Sequence, residues 1–275
     1  MSPLDEAWWA GRVHRQSAVP CDVKAVYLKA VIPSGCQVAE VIGDDGGHYW
    51  VKVMGNGHGN QALVTEHVVA GVGALLDACT CAAKVIDFPA AFLSSLRITT
   101  GGARPGPAHA SVSIGGALEC PSEDVEYATA DDFQFRGDDG NRYREAQMHA
   151  IWDLFLGEDE QWAYDLQDEN RLWSYDHSVW LARRSGDWSA RTLRDNVDEP
   201  WPLGDGYDGL DPEARARCAQ SLRDLRPEQI LEVLNQTPEE WGTTDADMEV
   251  LGWFVYKRSR SVAGRLMAIP QGTKP

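Results

Sequence analysis

Alternating apolar and polar positions dominate the first third of the chain. The segments "KAVYLKAVI" (24–32), "CQVAEVIG" (36–43) and "HYWVKVMG" (48–55) have the period of two that is typical of β-strands, and the "DDGG" between the last two predicts a hairpin turn. From residue 62 the spacing becomes helical, in "ALVTEHVVAGVGALLDAC" (62–79), and "AKVIDF" (83–88) predicts a further strand. We therefore predict a small antiparallel sheet with one helix packed on it.

The rest of the chain is predicted to be mainly helical. Residues 99–116 are rich in Gly, Pro, Ser and Ala and predict a connecting loop. Helical spacing follows in residues 141–157, whereas "RLWSYDHSVWL" (171–181) is strand-like, and the many turn residues of 186–210 predict a long surface segment. The remainder predicts three helices, which occupy residues 211–225, 226–236 and 245–267.

This order of elements predicts an α+β fold with two lobes. We expect a β-rich N-lobe over residues 1–110 and a mainly helical C-lobe over residues 111–275. Ligand sites form preferentially between domains, so two lobes of unlike composition predict a cleft between them.

Composition narrows the possible partners. The chain has 275 residues, a formal net charge of −17 and a pI near 4.7, which argues against nucleic acid because phosphate contacts need an excess of Lys and Arg. No apolar run reaches the roughly 18 residues of a membrane span, and no signal-peptide pattern precedes the first strand. We expect a cytoplasmic protein with no membrane partner. The six scattered cysteines are interpreted as reduced and mostly buried.

A lysine in the middle of an alternating strand is the first candidate for chemistry. Lys52 lies in "YWVKVM", and Glu66 follows in the next predicted helix. In kinases a strand lysine contacts the phosphates of ATP and a helix glutamate holds that lysine in place. The alternative is that both residues are solvated, since strand alternation alone turns Lys52 away from Val51 and Val53. The glycines of 43–47 and 55–59 could let backbone amides approach phosphates.

An acidic and aromatic segment, residues 155–181, is the second candidate. Phosphoryl transfer needs one carboxylate to orient the attacking hydroxyl and another to hold magnesium, and Asp159 and Asp176 lie seventeen positions apart there. The alternatives are an acidic surface loop around Asp159 and an edge-strand Asp176 that faces solvent. His177 follows Asp176 on the predicted strand and would point to the opposite face, so we expect a structural or positioning role for it.

The ordered set of segments resembles the compact HipA-like kinases common in bacteria. "HYWVKVMGNGHGNQALVTEHVVAGVGALL" is similar to the N-lobe of that family, "WSYDHSVWL" resembles its "IDHG" strand, and "TPEEWGTTDADMEVLGWFVYKRSRSV" resembles its closing segment. The similarity covers about residues 24–266. It implies a two-lobed protein-kinase-like fold, ATP and Mg²⁺ as ligands, and a hydroxyl of a protein Ser or Thr as acceptor.

Carried over to this chain, the resemblance implies a role for each matching residue. Lys52 would contact the ATP phosphates, Glu66 would position Lys52, and Asp176 would coordinate magnesium. The family's Trp-x-x-Asn-x-Asp segment corresponds to "FLGEDEQWAYD", where the catalytic residue is Asp159 in the preferred register and Glu160 in the other.

Several positions depart from the family pattern. The expected Asn of the catalytic segment is replaced by Gly157 or Glu158, depending on the register, and Ser178 replaces the glycine of the "DHG" motif. The resemblance implies a further metal-binding asparagine, which is missing here, and Asp165 is the candidate to replace it. The chain is therefore interpreted as a divergent kinase. The alternatives are a pseudokinase that serves as a nucleotide-binding or interaction module, and an acidic scaffold with no nucleotide site.

Overall fold

The computed structural model describes residues 1–16, 20–32, 37–96, 102–114, 125–128, 140–182, 187–204 and 206–268. The strands are β1 (Val23–Ile32), β2 (Val38–Gly43), β3 (His48–Met54), β4 (Ala83–Phe88), β5 (Arg104–Val112), β6 (Val125–Ala128), β7 (Trp162–Asp165) and β8 (Arg171–Ser174). The helices are α1 (Glu6–Trp9), α2 (Gln61–Leu75), α3 (Asn141–Phe155), α4 (Ala190–Asn196), α5 (Pro212–Asp224), α6 (Pro227–Asn235) and α7 (Asp245–Ala268), with 3₁₀ turns at Ala90–Ser95 and Glu239–Trp241.

The first five strands form a closed barrel in the order β1-β2-β3-β5-β4. Four of its pairings are antiparallel, as predicted, but β1 and β4 pair in parallel, with Val23 opposite Ile86. The predicted antiparallel sheet is therefore corrected to a barrel. Local alternation predicts strands but does not encode the pairing of two strands about sixty residues apart, and this pairing closes the barrel.

Strand β5 lies within the segment that we predicted to be a loop. Its Gly and Pro residues are concentrated at the start, where Pro107 pairs with Asp87, and Ala108 and Ala110 are buried in the barrel interior. Proline is tolerated at the beginning of a strand or beside a bulge, and a register shift occurs here between Lys52 and Met54. The Gly and Pro residues at this irregular start dominate the composition of residues 99–116, and the composition therefore indicated a loop.

Helix α2 connects the barrel to the helical half of the chain. Residues on every side of it are buried, among them Leu63, Glu66 and Val69. A Cβ at Gly71 would lie 2.6 Å from Cγ1 of Val233 in α6, so the missing side chain allows the two helices to approach closely. Buried contacts on both sides therefore fix the position of α2 and of the carboxylate that it carries.

In the helical half, β6, β7 and β8 form a three-stranded antiparallel sheet beside α3. The three helices predicted near the end of the chain are confirmed as α5, α6 and α7. The start of α5 follows its sequence signals, because Asp211 accepts a hydrogen bond from the Ala214 amide at 2.8 Å and Pro212 occupies the first turn. Two expectations are corrected: α4 lies inside the predicted surface segment, and the predicted strand of residues 171–181 ends at Ser174.

Apolar side chains form two buried clusters. One fills the barrel interior, and the larger one extends from α2 through the helical half, where Trp9, Trp180, Trp188 and Trp241 are almost fully buried. None of the helices in the described part of the chain combines the length and the apolar character needed to cross a bilayer. The lobe boundary at residues 110 and 111 stays a prediction.

Candidate functional site

The site is built around Lys52 in the middle of β3. Its side chain is 6% exposed, and Lys52 pairs across the sheet with His109 of β5. The ammonium donates hydrogen bonds to Oε1 of Glu66 and to Oδ1 of Asp176. Burying an ammonium is costly unless carboxylates compensate its charge, and here carboxylates from two separate elements do so. The solvated interpretation of Lys52 is therefore wrong.

Glu66 reaches the lysine from the second turn of α2, and its side chain is 3% exposed. Burial acts to raise the pKa of this carboxyl, but the Lys52 ammonium and the His177 imidazole outweigh it. The pKa of Glu66 consequently lies well below its ordinary value. The carboxylate is charged and can hold Lys52 in a fixed direction.

Asp176 approaches the same ammonium from the loop that follows β8. Its backbone adopts φ = +50°, a left-handed conformation that Asp tolerates better than most residues. Oδ1 also accepts a hydrogen bond from the Ser178 hydroxyl at 2.7 Å, and the side chain is 35% exposed. Asp176 is therefore the most accessible of the three charged groups.

His177 lies on the same side of the loop as Asp176, contrary to the strand-based expectation. Its Nδ1 is 3.5 Å from Oε2 of Glu66. The alternation rule holds only within a strand, and here β8 has already ended and the left-handed residue has turned the chain. Two consecutive residues consequently contact the two members of the Lys52–Glu66 pair.

A cavity of about 290 Å³ opens next to this cluster, near the lower end of the range for small-molecule sites, roughly 300–1,000 Å³. Its charged wall consists of Lys52, Glu66 and Asp176. The other lining residues are Ile32, Val38, Trp50, Cys81, His109, Ser111, Val112, Ile114, Ala163 and Tyr175. One end is thus charged while most of the surrounding surface is apolar or aromatic, a combination that suits a ligand with an anionic group and an apolar ring.

Sequence reasoning did not select the remaining polar residues of the wall. Burial lowers the pKa of His109 to about 3, so its imidazole is neutral, and Nε2 lies 3.1 Å from the Ser111 hydroxyl. Both residues are on β5, which the glycine and proline content had concealed. Trp50 could have been predicted as a site residue, because strand alternation places it on the same face as Lys52.

The other predicted site residues are not among those that line the cavity. Asp159 is exposed, with φ = +56°, and it lies with Glu160 in the segment between α3 and β7. Asp165 is buried at the end of β7, where Oδ1 accepts a hydrogen bond from the Gln167 amide at 3.0 Å within the β7–β8 turn. The glycine turns at 43–47 and 55–59 are likewise not part of the cavity wall. The roles of these segments stay predictions.

The cysteines and the acidic residues form no closed metal site in the described ranges. No group of three or more His, Cys, Asp or Glu side chains is arranged there to hold an ion. Cys21, Cys79, Cys81 and Cys218 are free thiols, and burial raises the pKa of Cys81 to about 12. These four agree with the expectation of reduced cysteines, whereas Cys36 and Cys120 lie outside the described residues.

Comparison with known proteins relates the fold to kinases. A proinflammatory kinase of Helicobacter pylori, CtkA, superimposes with a TM-score of 0.56 at 10% identity, over 91% of this chain and 98% of that one. A Golgi casein kinase structure gives a TM-score of 0.47 at 9% identity over 95% and 77% of the two chains, and one with Mn/ADP bound gives 0.44 at 11% over 96% and 75%. No protein-family model and no curated protein matches the sequence. The chain therefore shares the α+β fold of CtkA.

Proposed function

We propose that this protein is an ATP- and magnesium-dependent kinase of the HipA-like type, with two lobes that meet at the cavity. The observation that carries the proposal is the convergence of Lys52, Glu66 and Asp176 on one cavity wall. These residues come from a barrel strand, from α2 and from the loop after β8. Structural ion pairs are usually closed off from ligands, whereas this one borders a cavity of about 290 Å³.

The charges suit a metal-bound triphosphate. Lys52 would donate hydrogen bonds to phosphate oxygens while Glu66 maintains its orientation, as in kinases generally. Magnesium typically binds through one or two protein carboxylates together with substrate phosphates and waters. The partly exposed carboxylate of Asp176 fits that donor set, and its contact with Lys52 holds the side chain at the place where the metal would bind.

The acceptor is proposed to be a hydroxyl, most plausibly on a protein Ser or Thr, with Asp159 orienting it. That role rests on the resemblance to HipA-like kinases. A pseudokinase that binds nucleotide without transferring phosphate is the second candidate, and one observation favours it. Asp159 is exposed and is not part of the cavity wall that carries the ammonium of Lys52 and the carboxylates of Glu66 and Asp176.

Thermal unfolding with ATP and Mg²⁺, measured together with transfer of radiolabelled phosphate, tests the proposal. At a ligand concentration of 100 times Kd we expect about 2.7 kcal/mol of stabilisation, which raises Tm by about 2–4 °C per kcal/mol. Lys52→Met and Asp176→Asn are expected to abolish this rise. Lys84→Met is the matched control, because Lys84 is also a paired lysine of the barrel but binds Asp45 outside the cavity.

The two candidates give different results. Transfer that Asp159→Ala abolishes identifies the enzyme, while a Tm rise without transfer, including autophosphorylation, identifies the pseudokinase. Absence of any ATP-dependent rise in the unmodified protein contradicts both and favours the scaffold. An equal loss in Lys84→Met would show that the effect of Lys52 does not come from the cavity.

A further inference from the structure

His177 is held on three sides at the back of the charged cluster. It is 2% exposed, and its Nδ1 lies 3.5 Å from Oε2 of Glu66. Nε2 is 2.8 Å from the Ser174 hydroxyl, and the ring packs edge-to-face on Trp180 with 4.4 Å between centroids. These contacts fix both the position and the rotation of the imidazole.

The partners also determine where the ring carries its proton. A carboxylate only accepts hydrogen bonds, so Nδ1 must be protonated to interact favourably with Glu66. In the neutral ring Nε2 then accepts from the Ser174 hydroxyl. Ser174 is itself anchored, because its amide donates to the Cys79 carbonyl at 2.7 Å and its carbonyl accepts from the Cys81 amide at 3.3 Å. Glu66 thus sets the tautomer of His177, and the backbone at the end of β8 holds Ser174, whose hydroxyl contacts Nε2.

We propose that His177 is a positioning residue that orients Glu66 through Nδ1, so that Glu66 retains its place when Lys52 leaves Asp176 for a phosphate. The inference rests on the proposed kinase function. The two oxygens of Glu66 have separate partners, Lys52 on Oε1 and His177 on Oε2. Glu66 therefore does not depend on the lysine alone for its orientation.

The arrangement divides two tasks between consecutive residues. Asp176 contacts the ammonium and is exposed enough to accept a metal ion, whereas His177 contacts the carboxylate and is buried. At 3.5 Å the His177 contact is longer than an ideal hydrogen bond. We expect it to shorten in the nucleotide complex, as catalytic hydrogen bonds often do, because phosphates then share the positive charge of Lys52.

Two substitutions at position 177 separate positioning from packing. His177→Phe keeps a planar ring against Trp180 but removes the donor, and we expect the Kd for ATP and Mg²⁺ to rise about ten-fold or more. His177→Asn places an amide donor close to the position of Nδ1 and loses most of the ring. Positioning predicts that Asn restores affinity to within about three-fold of the unmodified protein. A packing role predicts instead that His177→Phe binds ATP and Mg²⁺ more tightly than His177→Asn does.

An NMR measurement without nucleotide makes the test independent of the proposed function. Titration of the Glu66 carboxyl should show a higher pKa in His177→Phe than in the unmodified protein. Long-range ¹H–¹⁵N spectra should show the Nδ1-protonated tautomer of His177 both in the unmodified protein and in Ser174→Ala, because the Glu66 carboxylate selects it. If the unmodified protein does not bind ATP, the kinase proposal fails, and these spectra still decide the orientation of Glu66.

Several results would overturn the inference. They are an unchanged Glu66 pKa in His177→Phe, an Nε2-protonated ring, or full ATP affinity in His177→Phe. Ser174→Ala retains the ring and its packing, so it provides the answer if both substitutions at position 177 prevent folding. An unaltered Kd in Ser174→Ala would then reject the role assigned to His177.

Discussion

Two of the buried clusters of charge in the described part of the chain have different kinds of partners. In the first, Lys52 is held by the side chains of Glu66 and Asp176 beside a cavity. In the second, Arg258 of α7 is fully buried within the helical half, together with Asp153 of α3. Both clusters contain a buried cation and a buried carboxylate, so burial of charge by itself does not distinguish a binding site from a structural element.

Backbone carbonyl groups dominate the second cluster. Arg258 Nε donates to the carbonyl of Leu154 at 3.0 Å, and its terminal nitrogens donate to the carbonyls of Asn196, Val197, Glu199 and Asp153 and to Oδ1 of Asp153. Arg265, the Tyr207 hydroxyl and the Trp201 amide also donate hydrogen bonds to the Asp153 carboxylate. Carbonyl groups at the ends of two helices cannot exchange partners unless those helix ends move.

The difference in partners indicates different functions. Arg258 satisfies carbonyl groups that α3 and the chain after α4 leave without helical partners, which is a structural task. Lys52 binds side chains that can rotate, and Asp176 is partly exposed. A lysine held in part by the partly exposed carboxylate of Asp176, beside a cavity, can transfer that interaction to an incoming anion, which an arginine held by fixed carbonyls cannot do.

Replacement of Arg258 has the largest expected effect on stability. It tests most directly whether the second cluster, unlike the first, is structural. Arg258→Met leaves Asp153 and several carbonyl groups buried with fewer partners, so we expect a loss of about 3–5 kcal/mol in the free energy of unfolding. Denaturant unfolding measures it. Arg191→Met, at a side chain that is 89% exposed, is the control and should change stability by less than about 0.5 kcal/mol.

Asp176→Asn gives the corresponding value for the first cluster. Its side chain is 35% exposed and Asn tolerates the left-handed backbone, so the expected loss is about 1 kcal/mol or less. Equal losses in Arg258→Met and Asp176→Asn would show that both clusters are structural.

Acid should lower the free energy of unfolding through two buried histidines near the first cluster, His67 and His109. Burial lowers the pKa of His67 to about 4 and that of His109 to about 3, from ordinary values of 6.5. The unfolded chain therefore binds more protons below pH 6.5, and stability should fall as the pH decreases from 6.5 towards 4. Each histidine contributes at most about 1.4 kcal/mol per pH unit.

His109→Gln tests the contribution of His109 to this pH dependence, because the amide can still reach the Ser111 hydroxyl but does not titrate in this range. Denaturant unfolding at several pH values should show a slope that is smaller by about one proton. A slope identical to that of the unmodified protein would mean that His109 is not buried in its neutral form.

The sequence predicted β1 to β4, the helix α2 and the meeting of Lys52, Glu66 and Asp176 because each depends on local signals or on the resemblance. Alternation located β3, and the apolar neighbours of Asp176 marked it as a residue in need of a partner. The orientation of His177 was predicted wrongly because this residue follows a strand end that the pattern did not show. His109 was not selected because it lies in a strand with a glycine- and proline-rich start.

The second cluster lay beyond sequence reasoning because its contacts are with backbone. Asp153 and Arg258 are 105 positions apart. The sequence around Arg258 does not distinguish it from Arg260, which donates to two other carbonyl groups, those of Leu222 and Leu225. Carbonyl groups are present at every residue, so a pattern of residue types cannot indicate which of them are left without helical partners.

Ser178 provides the smallest expected effect on ATP affinity and sharpens the assignment of Asp176 as exchangeable. Its hydroxyl donates to Oδ1 of Asp176 at 2.7 Å, where the HipA-like pattern has a glycine. Ser178→Ala removes one donor while Lys52 continues to hold the carboxylate, so we expect a stability loss of about 0.5–1.5 kcal/mol. The Kd for ATP and Mg²⁺ should change by less than about three-fold, because the metal replaces the lost donor as a partner of Asp176. Ser221→Ala, at an exposed helix hydroxyl, is the control. A much larger loss of affinity in Ser178→Ala would show that the hydroxyl, rather than Lys52, fixes Asp176 before the metal binds.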